Sequence, residues 1–193
     1  MAGGGEGVSG DLEALLRVTS DTYRGDGQLD VALGTYDGAV GRLVLAVTAR
    51  GLVACSYEDE HVVFERVSNQ VGSLIGTDAR RLDPVRRELD AYFSGRLRAF
   101  STRVDLTLAT PFARTVLQKT MAVPYGTTTT MGRIGELIGR PRALRAVGNA
   151  LGANPVCVIV PCHRVVRDDG EPGDYAGGPT AKRHLLTVER RGA

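Results

Sequence analysis

The stretch from Asn154 to Arg167, NPVCVIVPCHRVVR, constrains the fold more than any other part of the chain. Val158, Ile159 and Val160 form an apolar run whose length predicts a short buried strand. Pro161 has no N–H to continue a ladder and ends it. Cys162 and His163 follow side by side, so the thiol is delivered to a rigid, desolvated position. Imidazole and guanidinium neighbours favour a thiolate there, and a thiolate held still is a nucleophile. The rest of the chain has to build a core around this segment and supply what the thiol attacks.

Its 193 residues suffice for one domain or two small ones with a substantial core. No apolar run approaches the ~20 residues needed to span a bilayer, so no membrane partner is expected. Residues 1–27 lack the basic start and apolar core of a secretory signal and read as a flexible leader, with a short helix over 11–22. The three cysteines, Cys55, Cys157 and Cys162, are odd in number and lack Cys-x-x-Cys spacing. That argues against a disulfide framework or a zinc ribbon, predicts no metal site, and fits a reducing cytoplasm. Net charge is only +2, yet residues 1–110 hold 12 Arg against 16 Asp/Glu, and residues 111–193 hold 12 Lys/Arg against 6 Asp/Glu. A polyanionic partner should therefore meet the C-terminal half.

Residues 28–107 read as a small α/β domain. Leu29, Val31 and Leu33 alternate, Asp37-Gly38 turns, Arg42 to Thr48 is apolar, Arg50-Gly51 turns, and Leu52 to Tyr57 completes an antiparallel meander. Helical periodicity follows over His61–Val71 and Asp83–Phe93. This half carries no evident chemistry of its own, and Cys55 and His61 read as core or surface residues. Residues 101–107 link it to the C-terminal domain, 108–193.

There, Thr110-Pro111 is an N-cap and N1 pair opening a helix with Phe112, Val116 and Leu117 inward. Thr130 can cap a second helix, Met131 to Ile138, stopped by Gly139. After a Gly-Arg-Pro turn, Pro141 suits N1 of a third helix burying Leu144, Val147 and Leu151. Two short helices around a glycine turn make a helix-turn-helix. Arg145 and Asn149 share one face at i, i+4, Arg140 and Arg142 stand where a helix start favours phosphate, and Ala146, Gly148 and Ala150 leave room for a close backbone approach. An ordinary helical hairpin with solvated arginines is the alternative.

Taken together, the Arg145–Ala150 run, Asn154-Pro155, Pro161-Cys162-His163-Arg164-Val165 and the tail from Gly173 through Tyr175, Lys182 and Glu189 resemble the O6-alkylguanine-DNA alkyltransferases, also called methylated-DNA–protein-cysteine methyltransferases. Weaker likeness extends upstream through Val123–Gly126, Thr110–Phe112, Tyr92–Gly95 and the Gly38–Cys55 hairpin, about residues 28–190 in all. The resemblance implies an α+β chain: a ribonuclease H-like N-terminal domain and a winged helix-turn-helix-like alkyltransferase domain.

It also implies the roles. Cys162 accepts the alkyl group from O6-alkylguanine, or O4-alkylthymine, in double-stranded DNA, without a cofactor, and the protein acts as a monomer in the cytoplasm at the nucleoid. His163, oriented by Glu189, relays the thiol proton through water, and the Tyr175 phenol donates to the leaving base. Arg145 fills the gap left by the flipped nucleotide, with Arg140, Arg142, Ala146, Asn149 and Thr130 along the DNA. Leu151 helps wall a base pocket that also takes in Met131 and Lys182, the backbone at Cys162, Val165 and Ala176 reads the guanine edge, Asn154 holds the turn before the active-site segment, and Lys182 braces the Tyr175 loop. Met131 stands where the family usually has a tyrosine facing the flipped nucleotide. That departure leaves open a second reading, a non-catalytic binder that flags alkylated DNA. A thiol hydrolase is a third, disfavoured because adjacent Cys162 and His163 make a poor direct pair.

Overall fold

The computed structural model describes residues 29–192; the leader and its helix over 11–22 lie outside the described residues. Strands β1 (Val31–Gly38), β2 (Gly41–Thr48) and β3 (Gly51–Ser56) form the expected antiparallel meander. A two-residue β4 (Ile75–Gly76) joins β1 in parallel, giving the order β3-β2-β1-β4. Helices α1 (Glu60–Gln70) and α2 (Ala79–Phe93) follow β3 and β4. Helix α2 starts four residues before the expected Asp83, because the Asp78 side chain caps it by accepting from Arg80 N.

Both faces of the sheet are buried, and period-2 alternation sorts them. Val31, Leu33, Val44, Ala46 and Val53 pack with Val63 and Val67 of α1. Ala32, Leu43, Leu45, Leu52 and Cys55 face the other way, in one core with Leu82, Leu89 and Tyr92 of α2 and Val116, Val147 and Val160 of the C-terminal half. Opposite Ala46/Val47 the register slips, leaving Val53 as the extra residue of a bulge.

The outer edge of β3 is not left open. Leu52 N donates to Arg103 O (2.8 Å) and Asp105 N to Leu52 O (2.9 Å), so the linker adds a short parallel bridge. Three residues on, Cys55 N donates to Pro155 O (2.8 Å) and Cys157 N to Cys55 O (2.7 Å). The active-site segment is thus hydrogen-bonded to the N-terminal sheet.

In the C-terminal half, α3 (Pro111–Met121) is capped by Thr110, whose hydroxyl accepts from Ala113 N, as expected. Val116 and Leu117 are buried, but Phe112 is exposed and Ala113 takes the inward place. Helix α4 (Met131–Leu137) is capped by Thr130 and ended by Gly139 at φ +69°, a left-handed stop that glycine adopts without strain. Helix α5 (Leu144–Gly152) starts later than expected, so Pro141 lies in the turn and not at N1. Its inward residues are Val147 and Ala150, with Leu151 half-buried and Leu144 exposed. Ala150 therefore belongs to the core and not to an open face; only Ala146 of the small residues is fully outward. Residues 129–130 (β5) pair in parallel with 165–166 (β6), and α6 (Gly178–Gly192) closes the chain.

Val158–Val160 is not a strand. It is a tight turn between the Cys55–Val156 bridge and a 3-10 turn over Cys162–Arg164, with Ile159 N donating to Cys157 O and Val160 N to Val156 O. Val158 sits at φ +71°, a conformation costing a β-branched residue on the order of 1–3 kcal/mol. The residues are as buried as a strand would be, so composition could not separate the two.

Candidate active site

Asn154 holds the Cys162 thiol in place. Its side-chain oxygen accepts from Val156 N (3.0 Å), and its Nδ2 donates to Val160 O (3.1 Å) and Cys162 Sγ (3.1 Å). All three contacts are buried, so each is worth more than in water. The Cys162 thiol is shifted toward its ionised form by the neighbouring Cys157 thiol, which outweighs burial, then by the Asn154 amide and the Lys182 charge. Cys157 has its own pKa pushed up by the same contact and by burial, and its Sγ–H donates to Asn154 O (3.5 Å). It is core, as expected.

Behind the thiol lies a buried polar hub. Glu189 is 1% exposed and accepts from His163 Nε2 (2.9 Å), Tyr92 Oη (2.7 Å), Gly126 N (3.1 Å) and the Arg164 guanidinium, whose Nε and Nη2 lie 2.9 Å from its two oxygens. Burial works to raise its pKa, but the hydrogen bonds from His163 and Arg164 prevail and hold it at about 2. An ionised carboxylate only accepts, so the proton of a neutral His163 belongs on Nε2. Burial keeps that imidazole neutral by lowering its pKa. Nδ1, buried and without a hydrogen-bond partner among the described residues, is then the basic nitrogen.

The thiol opens into a cavity of about 260 Å³ lined by Gly148, Leu151, Gly152, Cys162, Val165, Asp174, Tyr175 and Ala176. Lys182 stands behind it, with Nζ donating to Val165 O (2.7 Å) and Asp174 O (3.1 Å), and so ties β6 to the Tyr175 loop. Of the expected base-pocket residues, Leu151, Val165 and Ala176 line the cavity; Lys182 and Met131 do not. Met131 is exposed, and its sulfur lies over Gly148, where an added Cβ would come within 3.2 Å of it. Arg140, Arg142, Arg145, Ala146 and Asn149 are exposed around α5, while the half-buried Thr130 spends its hydroxyl on the α4 cap.

Sequence reasoning missed four contributors. Arg164 is visible in the Pro-Cys-His-Arg run, but its pairing with Glu189 is not. Tyr92 reads as helix core, with no sign of the hydroxyl partner that a fully buried tyrosine must find. Tyr57 meets Tyr175, with hydroxyls 3.5 Å apart. The Cys55 backbone holds the active-site turn. Three of the four come from the N-terminal half, which is therefore more than a scaffold.

A thiol drawn toward thiolate at the floor of a cavity, with a helix-turn-helix at its rim, defines a cysteine-nucleophile protein built on a nucleic-acid-binding motif. Two family models match this chain: the 6-O-methylguanine DNA methyltransferase ribonuclease-like domain over residues 31–106 and the DNA binding domain of the same name over 111–191. The chain belongs to the 6-O-methylguanine DNA methyltransferase family. It is 45% identical over 104 residues to the methylated-DNA–protein-cysteine methyltransferase of Mycolicibacterium paratuberculosis, a match spanning 54% of this chain and 62% of that protein. The inducible enzyme of that name from Bacillus subtilis is 36% identical over 150 residues, 76% of this chain and 83% of the relative. The Mycobacterium tuberculosis OGT solved in complex with DNA superposes with a TM-score of 0.72 at 34% identity, covering 84% of this chain and 95% of that one.

Proposed function

We propose that this protein is a methylated-DNA–protein-cysteine S-methyltransferase that repairs O6-alkylguanine in double-stranded DNA, once per molecule. The observation that carries this reading is the Cys162 thiol, held by Asn154 at 3.1 Å and facing a cavity that the Tyr175 phenol also lines. The thiolate attacks the alkyl carbon; an S–C bond forms, the C–O6 bond breaks, and its electron pair passes to the guanine. Burial pushes the Tyr175 pKa up, so its phenol stays protonated and able to donate to the departing base. Nδ1 of His163 receives the thiol proton through a water, and Glu189 stabilises the imidazolium formed.

A base inside a duplex is out of reach of a thiol that is 6% exposed, so the nucleotide must be flipped into the cavity. Arg145 on α5 takes its place in the stack, with Arg140, Arg142, Ala146, Asn149 and Thr130 along the backbone. The thioether is not hydrolysed, so turnover stops at one, and a monomer working at the nucleoid suffices. No helix among the described residues is long and apolar enough to cross a membrane. Incubation with duplex DNA carrying O6-methylguanine should add one methyl mass to the Cys162 peptide and none to Cys162→Ala. Unmodified Cys162 in folded protein at lesion excess would refute the assignment.

A further inference from the structure

Tyr57 follows β3 directly, in the half of the chain whose sequence carries no evident chemistry. Its ring stands edge-on to Tyr175, with centroids 5.6 Å apart and planes at 76°. Gly177, two residues past Tyr175, lies so close to that ring that an added Cβ would meet Cζ at 2.5 Å. The Tyr57 ring therefore fixes one side of the Tyr175 loop, while Lys182 fixes the other through Asp174 O. Burial raises the pKa of both phenols, so each keeps a proton to donate at neutral pH. A phenol that gives up its proton to a leaving base needs a donor to its own oxygen, and the Tyr57 hydroxyl, at 3.5 Å, is the neighbouring group. That separation is at the outer limit of a hydrogen bond; such contacts are commonly long in unliganded sites and tighten when substrate engages.

We propose that Tyr57 is a positioning residue for alkyl transfer: its hydroxyl orients the Tyr175 phenol toward the departing base and donates to that oxygen as charge develops on it. This rests on the repair reading above, with Tyr175 as donor. It makes the ribonuclease-like half a participant in the chemistry.

The test is a double-mutant cycle. Single-turnover transfer from saturating O6-methylguanine duplex is measured for wild type, Tyr57→Phe, Tyr175→Phe and the double variant, with DNA dissociation constants alongside. Phenylalanine keeps the ring on Gly177 and removes only the hydroxyl, so a purely structural role leaves the rate untouched. The expected result is a transfer rate about three- to tenfold lower for Tyr57→Phe, the scale of one net hydrogen bond, at unchanged DNA affinity. The double variant should be no slower than Tyr175→Phe alone, because Tyr57 acts through Tyr175. A Tyr57→Phe rate equal to wild type, or single effects that multiply in full, overturns the proposal. If wild type transfers normally in the same series, only the Tyr57 role is lost; if wild type transfers nothing, the repair reading falls and takes this role with it.

Discussion

Replacing Glu189 by glutamine should separate its charge from its shape. The folded carboxyl sits at about 2 against an ordinary 4.5, a gap worth on the order of 3 kcal/mol of folding stability at neutral pH, at roughly 1.4 kcal/mol per pKa unit. Because the folded value is the lower one, this stability is fully present above pH 4.5 and is lost as pH falls toward 2. The substituted amide could still accept from Tyr92 and His163, but it would leave the Arg164 guanidinium, 7% exposed, without its counter-charge, a loss of similar size. Urea denaturation of both proteins should give a stability gap of about 3 kcal/mol at pH 7 that shrinks to about 1.5 kcal/mol at pH 3. The difference between the two proteins cancels other carboxylates that titrate in the same range, such as Glu58, Glu88 and Asp105. A gap below about 1 kcal/mol at pH 7, or one that does not change with pH, would refute the claim that an ionised Glu189 holds the hub together.

Further outcomes follow from the same geometry. In wild type, the pH at which Cys162 becomes half-reactive toward iodoacetamide should lie below the ordinary thiol value of 9.0, and Asn154→Ala should raise it by removing a donor to sulfur. The same variant leaves Val156 N unpaired in the core and should cost about 1–3 kcal/mol in denaturant titration. Arg145→Ala should weaken DNA binding and lower the salt slope of log affinity by about 0.9 if the side chain meets phosphate, or leave the slope unchanged if it acts only as the intercalating finger; unchanged affinity would remove Arg145 from the interface.

Where signals are local, the sequence foretold the structure. Thr110 and Thr130 cap the helices they were expected to cap, and Gly139 stops α4 at positive φ, because caps and stops depend on a few neighbouring residues. The meander strands fall where alternation placed them, but Asp37-Gly38 and Gly51 are still paired in the ladder, so the turns are Ala39-Val40 and Ala49-Arg50. The failures share one cause, partners distant in the chain. Val158–Val160 has strand composition, but its segment is held by Cys55, about a hundred positions earlier, and by the Asn154 side chain, so it turns instead. Leu144 and Phe112 fit helical periodicity, yet the α3–α5 packing is filled by Ala113, Val147 and Ala150. Cys162, His163 and Glu189 were legible as a set through family resemblance, and the structure brings His163 and Glu189 within 2.9 Å. Tyr92 and Tyr57 were not, because a tyrosine on a core face gives no sign of where its hydroxyl ends.

The central claim is that Cys162 takes one alkyl group and keeps it. Duplex DNA carrying O6-[methyl-³H]methylguanine, supplied in excess over protein, should label the protein to a plateau of one methyl per molecule, all on Cys162, while restored guanine appears in equal amount. Continued formation of guanine beyond that equivalence, or lesion binding with no label on Cys162, would contradict it.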